Sequence, residues 1–307
     1  MKKLLIFFIS ISFLTGAHIF VLHRINDNRY PSTNTSTKEL IKYFEYLKKN
    51  GYKVVTLSTL IKMQQQNLPL DKVVVFTIDD GYKSFYKNGF PLFKKYNYPF
   101  TLFIYVEATN GRWGDFMTWE QIKKSSEFGD IGIHSYAHSH LAKLYNEEII
   151  KDTKKAVKIF KKNMGFAPNM YAYPYGEYNK RVKEIISRYF KIIANQNSGA
   201  FDKSTPIDDI NRIALTGKAD IKNKLKIKVL KVKNLQIEKA NNIIKKISGY
   251  VNKKAVNIYI TNLGWKRVQV ENGYFEYYPN FQLKRYRNRV IIRYNYEMIS
   301  KLILKEE

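Results

Sequence analysis

The strongest constraint on the fold is an alternation of short apolar segments and amphipathic segments through the first two thirds of the chain. The apolar segments have the length of buried strands, and the segments between them have helical spacing of apolar residues. We predict strands at 19–22, 53–57, 72–78, 100–106, 131–132, 170–173 and 192–195, and helices at 37–50, 58–66, 119–128, 146–162 and 179–189. This order predicts a parallel α/β architecture, either a barrel or a distorted barrel.

Polar side chains follow several of these predicted strands at the point where each strand ends. In α/β barrels the carboxyl ends of the strands form the face that holds the active site. The residues in question are His23, Asp79, Asp80, His134 and His138. We therefore expect them to lie on one face of the barrel.

The pattern changes between Thr216 and Lys224. Beyond it we predict short strands at 226–232, 255–261, 265–270, 274–278 and 289–294, interrupted by one helix at 237–247. This indicates a small β-rich second domain. Its aromatic residues either stack on sugar rings or fill a core, and the core is the commoner role on strands. They include Trp265, Tyr274, Tyr277 and Tyr278.

The N-terminus has the pattern of a signal peptide. Lys2 and Lys3 precede an apolar run from Leu4 to Leu14, and the small residues Thr15, Gly16 and Ala17 follow. The run is short for a transmembrane helix. A buried first strand and an uncleaved anchor are the alternatives. We predict a signal peptide at 1–17, a catalytic domain at 18–218 and an accessory domain at 219–307. The predicted location is the periplasm, the cell envelope or the extracellular space.

The composition is basic and lacks cysteine. A formal net charge of +27 favours anionic partners, namely nucleic acid, anionic lipid or acidic glycans. The lysines are spread along the chain, so heavy use of lysine is the alternative explanation. Because a signal peptide directs a protein to export, we predict that this one has no nucleic-acid partner. We keep peripheral contact with an anionic membrane or glycan surface as an alternative. The absence of cysteine excludes disulfides, thiolate ligands and a cysteine nucleophile.

Two short motifs carry candidate chemistry. Asp79 and Asp80 follow a valine-rich strand, where one carboxylate can bind a metal while its neighbour accepts a proton from the attacking water; Asp-Asp-Gly is also an ordinary turn. His134 and His138 are spaced to chelate one ion if they lie on a helical turn. Three of the five histidines fall between 134 and 140. Two histidines and one aspartate form a catalytic zinc set with an open position, although cobalt, nickel or iron also suits these ligands.

A third motif is Tyr171-Ala172-Tyr173-Pro174-Tyr175-Gly176. Proline fixes φ and glycine permits close backbone approach, so the loop is able to present a backbone N–H to a developing oxyanion. Taken alone, it is also an ordinary turn.

Together these motifs resemble the polysaccharide deacetylase family, also called the NodB-homology family. The matching segments are Thr77–Gly81, His134–His138 and Tyr173–Gly176, and Met117–Gln121 with Trp119 is also similar. The resemblance covers roughly residues 18–215. It implies a distorted (β/α) barrel, with Asp79 as general base and Asp80, His134 and His138 as metal ligands. Tyr173, Pro174, Tyr175 and Trp119 are the predicted substrate and oxyanion residues.

The sequence departs from the family pattern at two places. Ala172 stands where many members carry arginine, and no histidine follows His140 to supply the usual late general acid. The branch that deacetylates poly-β-1,6-N-acetylglucosamine supplies this acid from an early strand, and Leu22-His23-Arg24 resembles its motif. Asn211-Arg212-Ile213 resembles the motif whose arginine orients the base. The resemblance thus implies that His23 is the acid and Arg212 the base-orienting residue. A buried structural histidine and an ordinary salt bridge are the alternatives.

The predicted function is the metal-dependent removal of N-acetyl groups from N-acetylglucosamine units of a cell-envelope or extracellular polysaccharide. Peptidoglycan and lipid-linked sugars are alternative substrates. A glycan-binding protein without catalysis is the alternative of another class.

Overall fold

The computed structural model describes residues 16–217 and 219–306. The first fifteen residues, which carry most of the predicted signal peptide, lie outside the described residues. Among the described residues, no helix has both the length and the apolar character needed to cross a membrane.

The first part of the chain alternates strands and helices, as predicted. Its strands are β1 (His18–Leu22), β2 (Arg24–Ile25), β3 (Asn34–Thr35), β4 (Lys53–Val54), β5 (Val73–Ile78), β6 (Thr101–Ile104), β7 (Asp130–Ile133), β8 (Met170–Ala172), β9 (Ile192–Ala194) and β10 (Ile213–Ala214). Its helices are α1 (Thr37–Lys49), α2 (Leu57–Gln65), α3 (Phe90–Lys95), α4 (Val106–Asn110), α5 (Trp119–Ser126), α6 (Asn146–Met164), α7 (Lys180–Ile186) and α8 (Ile221–Lys224). A π-helical turn at Phe85–Gly89 leads into α3, and 3₁₀ turns lie at Leu141–Lys143 and Pro174–Gly176.

A parallel sheet forms the centre of this part. Its strand order is β10-β1-β5-β6-β7-β8-β9, and β4 pairs with the first half of β5. The segment 207–214 curls the sheet towards closure, because Ile210 accepts a hydrogen bond from Asn195 N at 2.8 Å while Ile213 pairs with Phe20 of β1. The predicted distorted barrel is confirmed.

Strand β5 shows why the valine-rich run is a reliable strand signal. Every residue from Val73 to Ile78 is buried. Side chains alternate between the two faces of a strand, so Val74 and Phe76 pack in one apolar core and Val73 and Val75 in another. The strand has no polar face, and its first polar side chains after Thr77 are Asp79 and Asp80.

The rest of the chain is a β-rich domain, as predicted. Its strands are β11 (Lys228–Val229), β12 (Lys233–Ala240), β13 (Ile243–Tyr250), β14 (Ala255–Ile260), β15 (Gly264–Gln269), β16 (Tyr274–Tyr277), β17 (Phe281–Gln282), β18 (Arg287–Tyr294) and β19 (Glu297–Leu304). They form one sheet of order β11-β19-β18-β14-β15 and another of order β12-β13-β16, with β17 beside β13. The two sheets share an apolar core that contains Ile247, Ile258 and Ile292.

The predicted helix at 237–247 is wrong. This segment lies in the hairpin of β12 and β13, in which Ala240 pairs with Ile243 across the two-residue turn Asn241-Asn242. Both asparagines have positive φ, 50° and 61°, as a type I′ turn requires. The turn chemistry and the pairing of the strands therefore outweigh the helical spacing of the isoleucines.

The apolar contacts locate the change from one core to the other. Ile221 and Leu225 pack with the barrel core, whereas Leu230 belongs to the core of the β-rich domain. The predicted boundary after residue 218 stays a prediction, since α8 lies between the two.

Candidate metal centre and active site

Asp79 and Asp80 lie directly after β5, at the carboxyl edge of the sheet. Asp79 N donates a hydrogen bond to Leu22 O at 2.9 Å, so the end of β5 is joined to the end of β1. Asp80 has φ of 70°, which turns the backbone at this point. Both carboxylates consequently approach the same imidazole: His134 Nε2 lies 3.8 Å from Asp79 Oδ2 and 3.5 Å from Asp80 Oδ1.

His134 and His138 lie on a loop after β7 and not on a helical turn, so that part of the prediction is wrong. Ser135 and His138 have positive φ, 64° and 52°. The loop is held by Asp152 of α6, whose carboxylate accepts hydrogen bonds from Tyr136 N at 3.0 Å and Ala137 N at 2.8 Å. The turn still brings the two imidazoles together, with ring centroids 4.8 Å apart.

Asp80, His134 and His138 form a group that suits a metal ion. One ligand atom from each lies within 4.8 Å of the others, and His138 Nε2 is 3.1 Å from Asp80 Oδ1. When zinc binds four ligand atoms tetrahedrally at 2.0–2.1 Å, those atoms lie about 3.3 Å from one another. Asp80 Oδ1 is buried and has no hydrogen bond of good geometry among the described residues. A cation would pair with this oxygen, so Asp80, His134 and His138 fit a metal ion.

The protonation states of these ligands also suit a cation. The ring nitrogen Nδ1 of His134 is 2.8 Å from Ala172 O, so it carries the hydrogen and leaves Nε2 to face Asp80. Burial lowers the pKa of His134 from 6.5 to about 4, which keeps the ring neutral. Burial raises the pKa of Asp80, but the neighbouring imidazoles outweigh it and the net shift is downward.

Asp79 forms a bidentate ion pair with Arg212. Arg212 Nη1 donates to Asp79 Oδ1 at 2.6 Å and Nη2 donates to Oδ2 at 2.9 Å. Arg212 is itself fixed by Thr77 Oγ1 and Asn195 O at 3.0 Å and 2.8 Å. Burial raises the pKa of Asp79, but the charge of Arg212 outweighs it, so the pKa lies below its ordinary value and Asp79 is a carboxylate at neutral pH.

His23 follows β1 and lies near the same cluster. Its electrostatic interactions with Asp79 and Asp80 contribute to the lowered pKa of each carboxylate. Its Nδ1 is buried and has no hydrogen-bond partner among the described residues. The histidine is therefore near the two carboxylates without being committed to a structural hydrogen bond through that nitrogen.

The loop residues of the third motif divide between packing and the site. Tyr173 is buried and stacks on Tyr178 with centroids 4.7 Å apart, and Pro174 is also buried. Tyr175 is partly exposed, has φ of 58°, and its ring lies 4.6 Å from that of His138. Trp119 packs on Phe160 of α6, and none of its described ring contacts joins it to the candidate metal ligands.

Sequence reasoning missed several residues that support the site. Asp152 was detectable, because it interrupts the buried face of α6 between Ile149 and Ala156. Asn195 and Glu177 gave no such signal. Glu177 is fully buried and its Oε2 is 2.6 Å from His140 Nδ1.

Comparisons with known proteins match the part of the chain that carries these residues. The family model described as polysaccharide deacetylase matches residues 67–189, a range that includes both carboxylates, both candidate histidine ligands and the Tyr173–Gly176 loop. Poly-beta-1,6-N-acetyl-D-glucosamine N-deacetylase of Escherichia coli K12 is 24% identical over 245 residues, covering 64% of this chain and 35% of that protein. The Staphylococcus aureus protein of the same name is 26% identical over 168 residues, covering 50% of this chain and 58% of that protein. The chain thus spans between a third and somewhat over half of the length of these relatives.

Solved structures share the barrel. The Streptococcus pyogenes deacetylase PplD, in complex with acetate, superposes with a TM-score of 0.63 at 22% identity, over 68% of this chain and 96% of that chain. IcaB from Ammonifex degensii superposes with a TM-score of 0.58 at 26% identity, over 66% of this chain and 92% of that chain. The resemblance inferred from the three motifs is confirmed by the match of residues 67–189 to the polysaccharide deacetylase family model.

Proposed function

We propose that this protein is a divalent-metal-dependent hydrolase that removes N-acetyl groups from N-acetylglucosamine units of an extracellular or cell-envelope polysaccharide. One observation carries the proposal. Asp80, His134 and His138 converge as a metal-ligand group beside an ionised carboxylate, Asp79, that is not needed as a ligand. Hydrolysis of an amide requires such a separation between the groups that bind the cation and the base that accepts a proton.

Asp80, His134 and His138 are the residues that would hold the cation, with zinc as the first choice and cobalt, nickel or iron as alternatives. When bound, the ion supplies a Lewis acid that polarises the acetamide carbonyl and lowers the pKa of a water. Asp79 accepts the proton as water attacks, and Arg212 holds both oxygens of Asp79 so that the base has one orientation.

His23 is the proposed general acid. An unprotonated amine is a poor leaving group. Breaking the C–N bond therefore requires that a proton is delivered to its nitrogen. Of the other histidines, His134 and His138 serve as ligands, His140 pairs with Glu177, and His18 is buried with its Nε2 2.8 Å from Ile227 O. His23 is the histidine that remains near both carboxylates. The products are acetate and a glucosamine unit with a free amine.

The Tyr175 backbone N–H is the proposed donor to the oxyanion that forms during attack. Preorganised backbone donors of this kind contribute strongly to acyl-transfer catalysis. The ring of Tyr175 lies 4.6 Å from that of His138, so this residue is beside the proposed metal ligands.

The substrate proposal rests on the relatives. Two proteins similar to the chain are named for the N-deacetylation of poly-β-1,6-N-acetyl-D-glucosamine, so this polymer is our first choice, ahead of peptidoglycan and lipid-linked sugars. The proposed location outside the cytoplasm rests on the signal-peptide pattern of residues 1–17 and agrees with a polymeric substrate of this kind.

Acetate release from defined oligosaccharides tests the proposal. We expect acetate and an equal amount of new primary amine from β-1,6-linked N-acetylglucosamine oligomers, and less from peptidoglycan fragments. Asp79→Asn should abolish release, whereas Asp208→Asn, a change at a partly exposed carboxylate paired with Lys183, should not. Binding of the oligomers without acetate release from the metal-loaded protein would contradict the proposal and indicate a glycan-binding protein instead.

A further inference from the structure

The loop that carries Tyr175 is held from the β-rich domain. Arg287, the first residue of β18, donates from Nη2 to Tyr175 O at 2.6 Å. Its Nε lies 3.3 Å from Oε1 of the fully buried Glu177. One guanidinium therefore contacts both the backbone of the third motif, at Tyr175, and the side chain of Glu177 directly after the motif. Arg287 lies 112 positions away from Tyr175 in the sequence.

The loop needs this support for two reasons. Tyr175 has φ of 58°, a region that costs free energy for a residue with a side chain and persists only when surrounding contacts enforce it. Glu177 is a buried carboxylate, and a buried charge that loses a partner is strongly destabilising. Its described partners are Arg287 and His140.

The same contacts fix the ring of Tyr175 against the metal ligands. His140, which is hydrogen-bonded to Glu177, stacks on Tyr175 with ring centroids 4.2 Å apart and an interplanar angle of 13°. Tyr175 also contacts the candidate ligand His138, and the centroids of the two rings are 4.6 Å apart. Arg287, Glu177, His140 and Tyr175 thus form a continuous path from β18 to a metal ligand.

A second cation of β18 holds the adjacent loop. Arg289 Nη1 donates to Gln196 O at 2.9 Å, and the preceding residue, Asn195, is the one whose carbonyl fixes Arg212. Leu302 N of β19 donates to Asn197 Oδ1 at 2.7 Å. The β-rich domain is therefore attached to the barrel at the loops that shape the site.

We infer that the β-rich domain is part of the catalytic apparatus, with Arg287 as a positioning residue that holds the Tyr175 loop in the conformation needed for oxyanion stabilisation. The inference rests on the proposed function, because it assigns the loop to the deacetylation step. Arg287 acts through Tyr175 and Glu177, and the substrate need not contact it.

Kinetics of Arg287→Ala separate positioning from substrate binding. Misplacing a reacting group by about 1 Å costs up to about 100-fold in rate, so we expect kcat to fall by about 10- to 100-fold with KM unchanged. Arg285→Ala is the matched control, because Arg285 is an exposed arginine two positions away, and we expect it to behave as the original protein. If Arg287→Ala does not fold, Arg287→Lys, which reaches only one of the two acceptors, should give an intermediate kcat.

Amide hydrogen exchange provides a readout that does not depend on activity. We expect exchange at residues 175–177 to be faster in Arg287→Ala than in Arg285→Ala, with the strands of the β-rich domain unchanged. If the original protein releases no acetate, the proposed function fails, and the exchange comparison alone decides whether the loop is held by Arg287. A rise in KM at unchanged kcat, or an Arg287→Ala variant that matches Arg285→Ala in both rate and exchange, would overturn the inference.

Discussion

The ion pair between Asp79 and Arg212 is the most deeply buried charged contact of the site, and its removal gives a quantitative test. Arg212 is 1% exposed and Asp79 is 0% exposed. Arg212→Met leaves the carboxylate of Asp79 buried without its cationic partner. Breaking a buried pair from one side costs about 3–5 kcal/mol, so we expect the free energy of unfolding of the metal-free protein to fall by about that amount.

Two further variants make the magnitude interpretable. Asp79→Asn combined with Arg212→Met leaves no unpaired charge, and we expect it to be more stable than Arg212→Met alone. Lys180 and Glu184 form a pair on α7 whose side chains are 93% and 58% exposed, and Lys180→Met should cost less than about 1 kcal/mol.

Urea unfolding followed by far-ultraviolet circular dichroism, with a chelator present throughout, measures all of these variants. A loss below about 1 kcal/mol for Arg212→Met, equal to that of the surface pair, would refute the reasoning. Such a result would mean that the carboxylate of Asp79 finds water or another donor when Arg212 is absent.

Three other predictions concern single residues. Asp80→Asn should lose bound metal, whereas Asp79→Asn should retain it and lose turnover; equal metal loss in elemental analysis would mean that the two roles are assigned incorrectly. His23→Ala should lower turnover by about 10²–10⁴-fold at unchanged metal content, and near-normal acetate release would remove it as the acid. Burial lowers the pKa of His18 from 6.5 to about 4, so this imidazole takes up a proton at higher pH in the unfolded chain than in the folded one. The free energy of unfolding should therefore fall by up to about 3 kcal/mol as the pH is lowered from 6.5 to 4. Above about pH 6.5 His18 should make no contribution to its pH dependence. His18→Gln should show less of this loss in denaturant unfolding, and an identical pH dependence in both proteins would contradict it.

Local sequence patterns predicted the barrel and most of the residues that meet in the candidate metal site. Valine-rich and other apolar runs marked strands such as β5 because both faces of a barrel strand are buried. Asp79, Asp80 and His134 come directly after such strands, and parallel strands bring their carboxyl ends to one edge. The position in the sequence was therefore sufficient to predict that these residues meet.

Contacts between distant segments could not be predicted in the same way. The hairpin at 241–242 is decided by pairing between strands and by two asparagines at positive φ, which helical spacing does not reveal. The loop of His134 and His138 depends on a carboxylate of α6, Asp152. The contact between Arg287 and Tyr175 joins the β-rich domain to the barrel, and no local sequence pattern predicts such a contact.

Metal reconstitution of acetate release tests the central claim most directly. The protein is stripped with a chelator, dialysed, and titrated with Zn²⁺ while acetate release from β-1,6-linked N-acetylglucosamine oligomers is measured; Asp80→Asn is treated in parallel. The account predicts that the stripped protein is inactive, that activity returns in proportion to metal and saturates near one ion per chain, and that Asp80→Asn fails to recover at the same metal concentration. Full activity in thoroughly stripped protein would contradict the account.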